Sequence, residues 1–385
     1  MQHRPQLPES GFAPRLAVFY AALFAAFGVQ LPFFPLWLEA KGLDARMIGL
    51  VLALPMLVRV FAIPFAARQA DRREALRATL IAASVATVAG YTLLGFAAGP
   101  VAIVAACALA AAVYTPIMPL ADAYALRGLA TRGHAYGPVR LWGSAAFIAG
   151  IFGAGFAIDW IAARDLIWLI VAGSLATALA AFALAPLDAG APAAEHKPAG
   201  QPSLLRNPAF IAAVAAAALI QASHAVYYGF SALEWIAAGL DGKAVAALWA
   251  LGVIAEIALF AVSGRLPLWL GPTVLLMLGG AGGALRWTAM ALDPPALALP
   301  LLQCLHALSF CATHLGALAF VSRAAPPGLA ATAQGYLSIA LGAVMAASMG
   351  MSGLLYASFG SSAYAAMALS ALAGGVCAFL AHRLR

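Results

Sequence analysis

The chain has 385 residues, of which 64% are hydrophobic and only 9% charged, with a formal net charge of +7 at pH 7. A soluble domain needs roughly 25% charged residues to build its solvated surface, so this composition excludes an ordinary water-soluble fold. The basic charge is scattered along the sequence, which excludes the single basic face that nucleic-acid binding requires.

In chain order, apolar runs near the spanning length of about 20 residues fall at 16–38, 47–67, 78–98, 101–126, 138–161 and 166–186. A second set falls at 208–236, 244–263, 272–292, 296–321, 329–357 and 363–381. Charge or Gly/Pro clusters separate them, as in Glu39-Ala-Lys-Gly-Leu-Asp44, Ala98-Gly-Pro100, Asp293-Pro-Pro295 and Ala325-Pro-Pro-Gly328. Backbone in lipid must satisfy its own hydrogen bonds, so these runs are predicted helices. The strict alternation of a membrane β-barrel is absent. The polar stretch Met1–Pro14 precedes a full-length span, which reads as an uncleaved first helix.

The predicted fold is an all-α integral membrane protein with twelve transmembrane helices in two six-helix bundles. Residues 1–187 form the first bundle, 188–206 a linker rich in Pro, Gly and Ala, and 207–385 the second bundle. Paired bundles joined in this way are the layout of many secondary transporters, whose halves rock about a central site. An even number of spans puts both termini on one side. Only Lys41, Arg46, Arg164 and Lys243 then fall on the opposite side, with Arg59 and Arg286 inside spans. The positive-inside rule therefore predicts cytoplasmic termini and a cytoplasmic linker, and a multi-pass protein of the bacterial inner (plasma) membrane.

Several alternatives are set aside. The four cysteines lie inside spans without metal-ligand spacing, so neither a metal nor a disulfide framework is expected. Gly350-Met-Ser-Gly353 fits an intramembrane serine protease, but only His382 follows it, at the end of the chain. No Gly-rich phosphate loop appears, which argues against ATP-driven transport by this chain alone; no cofactor is expected. An enzyme is not expected, and a monomer is.

Small residues recur every four positions at Ala145, Ala149, Gly153 and Ala157, and again at Gly342, Ala346 and Gly350. Such stripes are expected to be seams where helices approach closely.

Ionisable side chains at mid-membrane cost at least about 2.5–3.5 kcal/mol on insertion scales, so those that persist face a cavity or a partner. Here they are Arg59, Asp122, Arg140, His224, Glu256, Arg286, His306 and His314. Arg59 and Glu256 each lie twelve residues into their spans, roughly 18 Å deep at 1.5 Å per residue, in equivalent places of the two halves. Arg286 is nearer the outer end of its span, within marginal reach of Glu256 or His306. Histidine titrates near neutrality, and a carboxylate in apolar surroundings is pushed toward the same range. Glu256 with Arg286 and His306 is thus the expected protonation site. Glu234 beside Trp235 reads as an interfacial anchor. The aromatics Phe33, Phe34, Trp37, Tyr227, Tyr228 and Phe230 read either as lining of an apolar cavity or as lipid-facing rings.

Several segments carry a family resemblance. They are Gln30-Leu-Pro-Phe-Phe-Pro-Leu-Trp-Leu38, Pro119-Leu-Ala-Asp-Ala123, Tyr136-Gly-Pro-Val-Arg-Leu-Trp-Gly-Ser144, Gln221-Ala-Ser-His-Ala-Val-Tyr-Tyr-Gly-Phe-Ser231, Leu248-Trp-Ala-Leu-Gly-Val-Ile-Ala-Glu256, Leu285-Arg-Trp287 and Leu305-His306. Together the chain resembles the phenylpropionate-permease-type transporters of the major facilitator superfamily, relatives of lactose permease and of nucleoside–proton symporters. The superfamily's helix 2–3 loop signature is degenerate here, as Ala67-Arg-Gln-Ala-Asp71-Arg72. The resemblance implies twelve helices, alternating access and proton symport inward. Asp122 and Arg140 look like the acid–arginine pair that binds sugar in lactose permease. Glu256, Arg286 and His306 match groups there that bind sugar or couple protons. Ser309 stands where that family member has a carboxylate central to coupling, which leaves Glu256 as the leading substitute.

The expected function is secondary active transport: proton-coupled uptake of a small organic solute such as an aromatic monocarboxylate (3-phenylpropionate-like). Asp122, Arg140, Arg59, His224 and Tyr228 would bind substrate, and Glu256, Arg286 and His306 would couple protons. The partners are then a small molecule, protons and the lipid bilayer. The alternatives are a proton-coupled exporter of hydrophobic compounds, a symporter of a neutral sugar or nucleoside, and a membrane sensor without transport.

Overall fold

A computed structural model describes residues 11–187, 204–267, 269–326 and 329–384. Among these residues the secondary structure is helical throughout, without strands. The first six helices are α1 (Phe12–Ala40), α2 (Ala45–Arg72), α3 (Leu76–Phe96), α4 (Pro100–Ala130), α5 (Tyr136–Ala157) and α6 (Ala163–Phe182). Then come α7 (Pro208–Ala237), α8 (Gly242–Arg265), α9 (Pro272–Ala291) and α10 (Ala296–Ala324). The last apolar stretch, Thr332–Arg383, is 52 residues long and holds two helices. These are α11 (Ala330–Phe359) and α12 (Tyr364–Arg383), parted by a single 3-10 turn at Gly360–Ala363. Gly360 opens that turn at φ 55°, a left-handed backbone that a side chain would resist. The twelve predicted spans are therefore present, shifted by a few residues at their ends. The expected linker at 188–206 falls outside the described residues as far as 203; Leu204–Arg206 form one 3-10 turn. Most of the polar start, Met1–Pro14, is likewise outside them.

Three helices are interrupted, each beside a polar residue. In α4 the break is at Thr115-Pro116, between Pro100–Tyr114 and Ile117–Ala130, because Pro116 has no N–H to continue the ladder. Asp122 follows within two turns. In α7 the break is at Ser223-His224, where the Ser223 hydroxyl donates to the Ile220 carbonyl at 2.6 Å. In α10 a π-turn spans Ala307–Ala312, directly after His306. Wide turns of this kind are frequent at functional sites.

The described residues of Met1–Gly42 and Leu57–Pro192 form one compact unit, and those of Leu43–Met56 and Ala193–Arg385 a second. In the first, α1 packs on α5 and α6. Gly28 of α1 lies against the backbone of Phe147 and Ile151, and Gly150 of α5 against the backbone of Ala25, so neither site has room for a Cβ. This seam differs from the expected one. Ala145, Ala149 and Gly153 are exposed, because helical rotation turns the neighbouring face, with Gly150, Ile151 and Ala154, toward the core. In the second unit, the start of α2 joins α11 through Gly49, which meets the backbone of Gly353. The expected α11 stripe is buried at Gly342 and Ala346, while Gly350 borders open space.

Also in the second unit, α9 packs along α12 and α10. Its run Leu278-Gly-Gly-Ala-Gly-Gly-Ala284 makes this possible. Gly280 abuts the backbone of Gly375, Gly282 faces the Leu308 side chain, and Gly279 faces Thr313. Small residues let helix backbones approach without a hydrophobic driving force between them. The consequence is that Arg286 and Trp287, one to two turns further on, are both 0% exposed.

Candidate functional site

A fully buried arginine must find partners, since an ion out of water costs several kcal/mol. Arg286 finds four. Its Nη2 donates to Oε1 of Gln303 at 2.5 Å, and its Nη1 lies 3.1 Å from Nδ1 of His306. Its guanidinium carbon stands 4.6 Å from the Tyr227 ring centre and 4.4 Å from that of Trp287. Gln303 and His306 are one turn apart on α10, so a single helix face receives both arms of the guanidinium. On the other side of His306, Nε2 is 3.5 Å from Oε2 of Glu256, on α8. Glu256 keeps 23% of its side chain accessible, against 9% for His306. α8 comes this close at Gly252, one turn before Glu256, where a Cβ would touch the His306 side chain.

A second histidine closes the cluster. The ring of His224, at the α7 break, is 5.4 Å from that of His306 and perpendicular to it. Its Nδ1 is 3.0 Å from the Gln221 carbonyl and its Nε2 3.1 Å from the Ser309 hydroxyl. Tyr228 stacks on it at 5.6 Å. The Gln221 amide donates to the Phe310 carbonyl at 3.3 Å, and the Trp287 indole donates to the Ser223 hydroxyl at 2.9 Å. The α7 break and the α10 π-turn are thereby tied together by side chains. Along α10, the rings of His306, Phe310 and His314 stack in sequence at 5.1 and 6.3 Å.

The first unit has its own polar centre. Oδ1 of Asp122, on α4, accepts from the Tyr20 hydroxyl of α1 and the Tyr136 hydroxyl of α5, both at 2.7 Å. The Arg140 guanidinium lies over the Phe24 ring at 3.8 Å and the Tyr20 ring at 5.6 Å. Tyr20 therefore links the acid and the arginine, with its hydroxyl on one and its face toward the other. Arg59, half-buried in α2, is near enough to Tyr114 to act on it electrostatically.

The predicted coupling residues Glu256, His306 and Arg286 thus form one connected group in the second unit. His306 stands between the other two, a closeness that counting depth along straight spans made marginal. His224 and Tyr228 border the same group. Asp122 and Arg140 neighbour each other through Tyr20 in the first unit, which also contains Arg59. Sequence reasoning missed Gln303, Tyr20 and Tyr136. Gln303 carried a signal, a lone amide one turn before a mid-span histidine; Tyr136 opens a segment that carries the family resemblance, and Tyr20 carried none. Trp235 is 3% exposed and packs on Tyr227, which removes the interfacial anchor expected at Glu234-Trp235. Phe33, Phe34, Trp37, Tyr227 and Phe230 are buried in helix packing and do not face lipid.

A family model described as the MFS_1 like family matches residues 14–366. The probable 3-phenylpropionic acid transporter of Escherichia coli (strain K12) is 30% identical over 364 residues, 93% of this chain and 94% of that protein. Maltose permease of Geobacillus stearothermophilus is 29% identical over 320 residues, 82% of this chain and 80% of that one. Among solved structures, the nucleoside transporter NupG aligns with a TM-score of 0.81 at 16% identity, covering 97% of this chain and 98% of that chain. The POT family transporter PepTSo aligns at 0.76 and 12% identity, covering 98% of each. At such identities the structural likeness speaks for the fold alone, but the sequence matches run nearly the length of the chain and agree with the twelve-helix architecture. The chain belongs to the MFS_1 like family of the major facilitator superfamily, a multi-pass membrane transporter and not an enzyme.

Proposed function

We propose that this transporter takes up a small aromatic monocarboxylate together with protons, by alternating access, across the bacterial inner membrane. Both termini would be cytoplasmic and the working unit a monomer. The observation that carries the reading is the connected group Glu256–His306–Arg286: a partly accessible carboxylate and an imidazole that can exchange a proton, joined to a guanidinium that can meet an anion. The aromatic faces of Tyr227 and Trp287 beside that guanidinium suit a carboxylate attached to a ring. The 30% identity to a probable 3-phenylpropionic acid transporter supports the same substrate class. Asp122, Arg140 and Arg59 in the first unit would contribute further contacts, as would His224 and Tyr228 in the second.

The test is uptake into proteoliposomes with an imposed pH gradient, acid outside. 3-Phenylpropionate should accumulate against its gradient, and the accumulation should collapse with a protonophore. Accumulation of maltose or a nucleoside instead would favour a second reading, symport of a neutral polyhydroxyl solute. One observation supports that rival: Asp122 accepts two hydroxyl hydrogen bonds, of the kind a sugar hydroxyl could replace.

A further inference from the structure

The two histidines of this cluster, His224 and His306, each face one partner that can play only one role, and that assigns their ring protons. Nδ1 of His224 faces the Gln221 carbonyl, which only accepts, so Nδ1 carries the hydrogen and Nε2 accepts from the Ser309 hydroxyl. Nδ1 of His306 faces Arg286, whose guanidinium has five donors and no acceptor. That nitrogen must be bare. The His306 hydrogen is then on Nε2, directed at Glu256. As long as Arg286 stays in place, His306 cannot take a second proton, because its free lone pair is occupied.

Arg286 has reason both to stay and to leave. Gln303, itself 0% exposed, holds one arm, and Tyr227 and Trp287 cover the faces of the guanidinium. Its Nε, however, is buried with no hydrogen-bond partner, as is Nε2 of Gln303. A buried donor without a partner costs free energy that an incoming acceptor would recover. A carboxylate is such an acceptor, and it binds a guanidinium through two parallel hydrogen bonds.

We propose that Arg286 is a removable cap on Nδ1 of His306, held by Gln303 as a positioning residue, and that an anionic substrate loads a proton by drawing the cap away. The step balances simply. The guanidinium exchanges its bond to Nδ1 for bonds to the substrate carboxylate. A proton from water then adds to the exposed lone pair, and the resulting imidazolium faces Glu256 through Nε2–H. Besides Arg286 and Glu256, the groups around His306 are His224 from α7, on which Tyr228 stacks, and, beyond the Phe310 ring, His314 on α10. His224 differs from His306 in that no guanidinium covers it: its Nδ1 hydrogen rests on the Gln221 carbonyl, and its Nε2 faces the Ser309 hydroxyl, which can donate or accept. The proposal rests on the anion reading above, and reciprocity requires that the proton in turn tighten anion binding.

The experiment is nitrogen NMR of the full-length protein labelled at its 7 histidines, with His306→Gln used to assign the His306 signals. Without ligand, His306 should be the neutral tautomer with hydrogen on Nε2. Saturating 3-phenylpropionate should convert it to imidazolium, with proton uptake on binding. Independently of any ligand, Arg286→Gln should release Nδ1, raising the protonated fraction of His306 at fixed pH roughly tenfold or more, the scale of a lost hydrogen bond to a charged group. Gln303→Met should do the same more weakly, and it serves if Arg286→Gln does not fold. A hydrogen on Nδ1 in the ligand-free protein would overturn the proposal, as would an unchanged His306 spectrum in both variants. Binding of 3-phenylpropionate with no change at His306 would overturn the coupling. If that acid fails to bind while the variants uncap His306, the substrate reading fails and the cap stands.

Discussion

At the scale of single residues, Glu256 is placed to gain or lose a proton without disturbing what holds Arg286. It touches the far nitrogen of His306, and it keeps more of its surface accessible than the histidine does. We expect Glu256→Gln to abolish accumulation driven by a pH gradient while substrate exchange between the two sides continues. Gradient-driven accumulation at the normal level in that variant would show that the coupling lies elsewhere. In the first unit, Asp122 and Arg140 meet through Tyr20, so the three should act together on substrate. Changing Asp122 to Asn and Arg140 to Gln, singly and together, should give affinity losses that do not add, because the sites share a partner. Tyr20→Phe should weaken binding by itself, by roughly tenfold for a hydrogen bond to a charged group. Equal losses of thermal stability across the set, with affinity intact, would make the trio a structural tie.

Among the helices, α9 decides where the arginine goes. Its glycines bring it against α10 and α12, and only then does Arg286 point into packed protein. Gly280→Val would put methyl groups onto the Gly375 backbone and force the helices apart. Overpacking of this kind costs about 1–3 kcal/mol, so a lower unfolding temperature is expected, together with loss of transport as Arg286 shifts. Gly350→Ala, which borders open space, should leave both unchanged. A matched fall in stability for the two variants would mean that glycine content, and not contact, matters. Much of this level was legible in the sequence. Twelve helices follow from apolar length alone, and Pro116 announces the α4 break, although 101–126 reads as one span. The α7 break carries no such marker, since Ser223 and His224 make it by bonding to backbone carbonyls. The π-turn in α10 has the same composition as its surroundings. The α5 seam was misplaced because alanine and glycine are frequent on several faces, and rotation, which periodicity in an apolar helix does not report, selects among them. Gln303 escaped notice because a search for charges and histidines passes over an amide, even one that holds a buried guanidinium.

For the molecule as a whole, charge within the spans links proton and substrate. In the second unit Arg286, which cannot deprotonate, stands against Glu256 across His306, so the group is close to neutral when both are ionised. Adding a proton to it leaves an excess of one positive charge, which attracts the anion more strongly, so proton and anion favour each other's binding, as linkage demands. The sign is then fixed: affinity for a carboxylate should rise as pH falls through the titration of the coupling group. It should decline again only where the substrate acid itself becomes protonated. An uncharged solute gains nothing from the excess charge and should show a flat profile. The discriminating measurement is the binding affinity of 3-phenylpropionate and of its uncharged amide from pH 5 to 9, at constant ionic strength because surface charges are screened by salt. The acid should bind more tightly than the amide throughout and alone should strengthen toward low pH. In Glu256→Gln, which leaves the Arg286 charge unopposed, the acid should bind more tightly at high pH than it does to the unaltered protein. An amide that binds as well as the acid, with the same dependence on pH, would show that charge is not what the spans recognise, and a hydrogen-bonded neutral solute would take the place of the anion.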